Sequence, residues 1–203
     1  TAMSIKKILN YSPNFDPKKR ENNKIKFLIF HYTGMKKEKQ AITRLANTKS
    51  KVSSHYLIKN NGEILTLVPD LYVAWHAGVS SWKNYKSINK YSIGIEISNP
   101  GHEYSYKKFS KKQIKSILKL STYLRKKYKI KSNFILGHSD IAPDRKKDPG
   151  EKFPWKYLSK NKIGNWHNLN EKKLFKKRNQ TVDKFEKKKF IKNLYKFGYP
   201  KKI

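Results

Sequence analysis

Cysteine is absent from all 203 residues. Disulfides and thiolate metal sites are therefore excluded, and any metal must be held by nitrogen and oxygen. A chain without thiols suits oxidising and reducing surroundings alike, so the compartment stays open. Arginine is nearly missing, with five residues against 43 lysines among the 48 basic side chains. Acidic residues number 14, which leaves a formal net charge of +34. Such a charge invites a nucleic-acid reading. Bidentate base and phosphate recognition is the work of arginine, however, and the lysines are spread along the whole chain. The expectation is no specific nucleic-acid partner, with electrostatic association to anionic surfaces surviving as the milder inference.

Long apolar runs are missing too. No stretch approaches the ~20 residues that span a bilayer, and no signal-peptide core is present. The opening Thr1-Ala2-Met3 reads as an altered or trimmed start, so an export signal removed earlier remains compatible with this chain.

The length suits one domain of ordinary size plus an appendage. Residues 1–24 read as an irregular lead-in rich in Lys, Asn and Pro. Phe27–His31 is an apolar run typical of a buried strand. Ile42 and Leu45 give 36–47 a short amphipathic helix. Segments 54–59 and 63–68 flank Asn60-Asn61-Gly62, a hairpin signal. Residues 70–90 carry two tryptophans and little periodicity, as a loop walling a cleft would. Ser92–Ile97 alternates like a strand. Ser110 and Gln113 form a capping box, with Phe109 and Ile114 as its staple. The stripe of Ile114, Ile117, Leu118, Leu124 and Tyr128 then lays that helix on a sheet. Asn133–Leu136 is a further strand. Alternation of this kind predicts an α/β domain over 25–160, with a mixed β-sheet and flanking helices. Residues 161–203 read as a polar linker and a short C-terminal helical tail, capped by Asp183 and Glu186 and carrying Phe190, Ile191 and Leu194. The tail reads as a helix packed on the domain, with a faint resemblance to the opening helix of a helical peptidoglycan-binding module as the alternative.

The chemistry concentrates in Gly137-His-Ser-Asp-Ile-Ala-Pro-Asp-Arg-Lys-Lys-Asp-Pro-Gly150. His138 and Asp148 stand ten positions apart in a segment with two prolines, Pro143 and Pro149, so they cannot share a helix face. A loop that folds back brings both to one point. Each is a good ligand for a borderline divalent metal, and zinc with three protein ligands keeps one position open for water. His31, at the end of the first core strand, is the best third candidate. Glu96, an acid on the core strand Ile93-Gly-Ile-Glu-Ile97, is costly there without a partner or a purpose, and is the candidate for proton transfer. Arg145, Lys146 and Lys147 each stand near enough in the loop to stabilise an oxyanion.

Five stretches in order carry a resemblance: Phe30-His-Tyr-Thr33, Ser53-Ser-His-Tyr-Leu-Ile58, Leu71-Tyr-Val-Ala-Trp-His-Ala-Gly-Val-Ser-Ser-Trp82, Tyr91-Ser-Ile-Gly-Ile-Glu-Ile97 and the 137–150 loop. Together they resemble the zinc-dependent N-acetylmuramoyl-L-alanine amidases over roughly residues 24–160, and the Trp-His-Ala-Gly string looks most like the envelope-located branch. The resemblance implies Zn2+ on His31, His138 and Asp148, with Glu96 assisting. It selects Lys146, the lysine two before the aspartate, from the three basic neighbours. It also implies a peptidoglycan or muropeptide partner and a periplasmic or envelope location. A non-catalytic wall-sensing domain of the same fold is the alternative. The filled ligand and assisting positions favour catalysis.

Four other histidines and two tryptophans are weighed apart. His55 either lines the cleft or serves as a hydrogen-bonded strand residue. His76 belongs to the long loop. Trp75 and Trp82 either stack on sugars or pack beneath that loop, the second being expected for at least one. His102 and His167 read as solvated. Asp140 and Asp144 are expected to shape the ligand loop through turn bonds.

Overall fold

The computed structural model describes residues 5–201, so the Thr1-Ala2-Met3 opening lies outside the described residues. Ten strands are formed: Ile8–Leu9 (β1), Phe15–Asp16 (β2), Phe27–Tyr32 (β3), Tyr56–Ile58 (β4), Ile64–Thr66 (β5), Val73–Ala74 (β6), Ser81–Trp82 (β7), Tyr85–Lys86 (β8), Ser92–Ile97 (β9) and Ile135–Gly137 (β10). The helices are Glu38–Ala46 (α1), Lys111–Lys127 (α2), His138–Ile141 (α3), Trp155–Lys160 (α4), Glu171–Arg178 (α5) and Lys184–Phe197 (α6). Six strands make one mixed sheet in the order β1-β5-β4-β9-β3-β10. Only the β4–β5 hairpin pairs antiparallel within it; the other four pairings are parallel. The α/β architecture is as the alternation of elements predicts.

Period-2 geometry sorts the side chains into two layers. On one face Leu28, Phe30, Tyr56, Ile58, Ile93, Ile95 and Ile97 pack under Ile117, Leu120 and Leu124 of α2. That helix starts with both halves of the Ser110–Gln113 capping box in place. The opposite face carries Phe27 and Ile29, covered by Trp82 of β7, Ile88 and Ile141 of α3. His31 and Glu96, which are register partners, continue this second face at the C-terminal ends of β3 and β9. Parallel strands place their sites at such ends.

The lead-in departs from its reading as irregular. β1 adds a parallel edge strand to β5, and β2 pairs antiparallel with β6. Buried Asn14 donates through Nδ2 to Asn47 O and Val52 O, both at 2.8 Å. These contacts run through backbone groups, which composition does not register. The tail packs on the domain as expected, though at one end only. Trp82 is 1% exposed and lies against Phe197 and Tyr199. A Cβ on Gly198 would come within 2.5 Å of that indole, and its φ is +143°. The first turns of α6 and the whole of α5 contribute no buried residue.

Candidate metal centre and active site

The ligand loop folds back through its own hydrogen bonds. Gly137 N donates to Asp140 Oδ2 at 2.8 Å, which caps α3 and aims His138 from its first turn. Ser139 N donates to Asp148 O at 2.9 Å, closing ten residues onto themselves. Asp140 thus shapes the loop, as expected of a turn residue. His31 arrives from β3. Its Nδ1 lies 3.0 Å from both His138 Nδ1 and Asp148 Oδ2, and the last two atoms are 3.1 Å apart. All three residues are buried.

The donor set fits a metal. His138 Nε2 lies 3.0 Å from Ala77 O, and a carbonyl oxygen only accepts. The Nε2 atom must therefore carry the proton, and in the neutral ring Nδ1 presents a lone pair towards a carboxylate. Two acceptors facing each other at 3.1 Å call for a cation between them. Ligands ~2.0–2.1 Å from a tetrahedral zinc stand about 3.3 Å apart, close to the separations observed. Burial, with His138 second, pushes His31 down to about 4, so its ring is neutral and ready to ligate.

These atoms form the floor of a cavity of about 400 Å³. Glu96, Trp75, His76, Arg44, Lys146 and Lys147 are among its lining residues. Glu96 Oε2 is shielded from solvent and has no hydrogen-bond partner. Burial and the nearby Asp148 raise its carboxyl well above the usual range, with Lys146 opposing. Arg145 is tied down, with Nη2 donating to Ala77 O at 2.5 Å and to Val79 O at 2.6 Å. Lys146 is exposed at the cavity.

Residues 21–151 match the N-acetylmuramoyl-L-alanine amidase family. The chain belongs to this family. It is 39% identical over 155 residues to N-acetylmuramoyl-L-alanine amidase AmiD of Escherichia coli, covering 70% of this chain and 55% of AmiD. It is 40% identical over 111 residues to 1,6-anhydro-N-acetylmuramyl-L-alanine amidase AmpD of Haemophilus influenzae, covering 54% and 58%. The chain thus spans about half the length of the curated relatives it matches. A solved complex of E. coli AmiD with anhydro-N-acetylmuramic acid-L-Ala-D-gamma-Glu-L-Lys superposes with a TM-score of 0.74 at 33% identity. That superposition covers 87% of this chain and 72% of AmiD.

The remaining histidines of this family member divide cleanly. His55, just before β4, is a structural residue: Nδ1 accepts from Gly94 N at 3.0 Å, and Nε2 donates to Tyr72 O at 2.9 Å. With both ring nitrogens spent, it has no capacity for proton transfer. His76 has a place that sequence reasoning missed. Its Nδ1 lies 2.9 Å from His31 Nε2, and its Nε2 lies 2.9 Å from Ser92 Oγ. Gly94 is the signal that could have found it, because a Cβ there would stand 2.4 Å from the His76 ring. His102 is exposed as expected, yet it is also bonded to Tyr32 Oη and Glu151 Oε2 on the cavity rim. His167 is exposed and stacks on Trp166. Of the two loop tryptophans, Trp82 packs beneath the loop. Trp75 lines the cavity and donates from its indole to Asp16 Oδ1 at 2.8 Å.

Proposed function

We propose that the chain is a zinc-dependent hydrolase acting at the cell envelope or in the periplasm. Its substrate is the amide between N-acetylmuramic acid, or the 1,6-anhydro form, and L-alanine in peptidoglycan or muropeptides. The observation that carries this reading is the convergence of three acceptor atoms within 3.1 Å of one another, beside an unpartnered carboxyl oxygen. The AmiD complex with a muropeptide supports the substrate class.

His31, His138 and Asp148 hold the ion. Bound there, zinc supplies a water acidic enough to ionise near neutral pH and polarises a substrate carbonyl. Glu96 takes the proton of the attacking water and passes it to the departing L-alanine nitrogen. Its raised proton affinity suits a group that must first hold that proton and then release it to an amine. The C–N bond breaks as the water oxygen joins the lactyl carbonyl carbon, giving a carboxylate and a free peptide. Lys146 faces the charge that develops on the carbonyl oxygen. Trp75, on the cavity wall, offers the substrate an aromatic surface. The lysine-rich surface adds electrostatic association with anionic envelope polymers.

Metal analysis together with mass spectrometry of products from anhydro-muropeptide and from whole sacculi tests this reading. About one zinc per chain and release of free peptide are expected. Alanine at His31, His138 or Asp148 should each remove most bound zinc, because each loses a direct bond to the ion. Full zinc occupancy in one of these variants would overturn that ligand. Zinc binding with no peptide released from either substrate would leave the non-catalytic sensing role.

A further inference from the structure

Metal-ligating histidines depend on what their second nitrogen bonds to, because that bond fixes the tautomer and the ring direction. In this chain the second nitrogens of both candidate ligands are held by two consecutive residues. His31 Nε2 meets the His76 side chain, and His138 Nε2 meets the Ala77 carbonyl. With the His31 Nδ1 lone pair given to a metal, its Nε2–H donates to His76 Nδ1. The His76 Nε2–H then donates to Ser92 Oγ. The Ala77 carbonyl fixes the direction of the His138 bond, and the His31–His76–Ser92 chain takes its direction from the ligand end.

The His76-Ala77 segment is itself pinned at one atom. Asn89 Oδ1 accepts from both His76 N, at 3.1 Å, and Ala77 N, at 2.8 Å. Only the amide oxygen can take two N–H donors, so the orientation of this side chain is unambiguous. From beneath, the bare Gly94 lets the His76 ring lie against β9. From above, Arg145 shares the Ala77 carbonyl with His138. Asn89 sits in the short 3-10 turn Ile88–Tyr91 that leads directly into β9. The anchor therefore moves with the strand that carries Glu96.

We propose that Asn89 is a positioning residue for the metal centre, holding both histidine ligands in register through the His76-Ala77 backbone. The proposal rests on His31 and His138 being ligands. It goes beyond that assignment by naming what sets their directions. Removing the Asn89 oxygen takes the shared acceptor from two adjacent peptide units, so the orienting partners of both rings are loosened together. Conservative replacement by Asp keeps an oxygen acceptor in the same place.

The test compares Asn89→Ala, Asn89→Asp and Ser92→Ala with the parent protein. Zinc affinity is read by competition with a chromophoric chelator, and histidine tautomers by long-range proton–nitrogen NMR of the zinc-loaded and metal-free proteins. Asn89→Ala should bind zinc ~10–100-fold more weakly, the usual effect of losing an outer partner. It should also show mixed tautomers at His138, where the parent shows the proton on Nε2 alone. Asn89→Asp should stay close to the parent in both readouts. Ser92→Ala, which removes only the far end of the His31–His76 chain, should weaken zinc binding while leaving the His138 tautomer intact. Should Asn89→Ala fail to fold, Asn89→Ser, which also withdraws the acceptor from the two peptide N–H groups, takes its place, with the same outcomes deciding. Parental zinc affinity and tautomers in folded Asn89→Ala would overturn the proposal, as would Asn89→Asp behaving like Asn89→Ala. If the parent itself takes up no zinc, the ligand assignment fails, and the His138 tautomer in metal-free protein still decides whether Asn89 orients that ring.

Discussion

Glu96 is the residue on which the proposed chemistry turns, because a half-buried carboxyl with an unpartnered oxygen is costly to keep for packing alone. Glu96→Gln and Lys146→Met remove a proton carrier and a cation while leaving the ion's ligands in place. Each should retain zinc and substrate affinity while losing kcat by roughly 10²-fold or more. Near-parental turnover in Glu96→Gln would move the proton role elsewhere, and not to His55, whose nitrogens are both engaged. His55 instead makes a prediction about acid. Burial, then the Arg20 charge, pushes it from 6.5 to about 3. Between those values the unfolded chain binds one more proton than the folded one. Stability present above pH ~6.5 is therefore lost as pH falls, at up to ~1.4 kcal/mol per pH unit from this residue. Urea unfolding of the parent and of His55→Gln between pH 7.5 and 4.5 reads the difference. A gap between the two proteins that does not narrow towards low pH would contradict the assignment.

At the scale of elements, what was legible depended on whether the signal was local. β3, β9 and α2 announce themselves through periodicity and caps. His31 and Glu96 could accordingly be placed at strand ends, and the 137–150 loop could be read as folding back. The resemblance, and not the residues alone, separated Lys146 from Arg145 and Lys147; the structure adds that Arg145 is bonded away. Two-residue strands such as β1 and β2 gave no such signal, since backbone hydrogen bonds hold them and any side chain will serve. His76 and Asn89 escaped for a related reason: their partners are 45 and 13 or fewer positions away, and no short window contains the arrangement. The α2 cap allows a clean separation of fold from site. Ser110→Ala removes the acceptor for Gln113 N and should cost about 1 kcal/mol in urea unfolding. Zinc affinity and turnover should remain parental. A variant that loses zinc along with stability would show that α2 is coupled to the metal centre across the sheet.

Over the whole molecule, a net charge of +34 surrounds the site for which a muropeptide substrate is proposed, and surface attraction and cavity contacts separate by their response to salt. Exposed charges are screened over ~8–10 Å at ordinary ionic strength, whereas contacts on the cavity floor are shorter and less wet. The α5–α6 region carries part of this charge, and Phe185 and Phe190 stand 74% and 61% exposed there. If lysine serves to hold the protein near an anionic wall, binding to sacculi should fall steeply between low and physiological salt. Turnover of a small soluble muropeptide should change far less over the same range. Equal sensitivity of both would place the working lysines inside the cavity, with Lys146 and Lys147 as the first to substitute. Sacculus binding indifferent to salt would contradict the electrostatic reading and point to a specific sugar contact. Trp75 is then the place to look, since Trp82 is sealed beneath the C-terminal helix. Sedimentation of sacculi across a salt series, run beside the soluble assay, distinguishes these outcomes, and the steep loss confined to sacculi is the expected one.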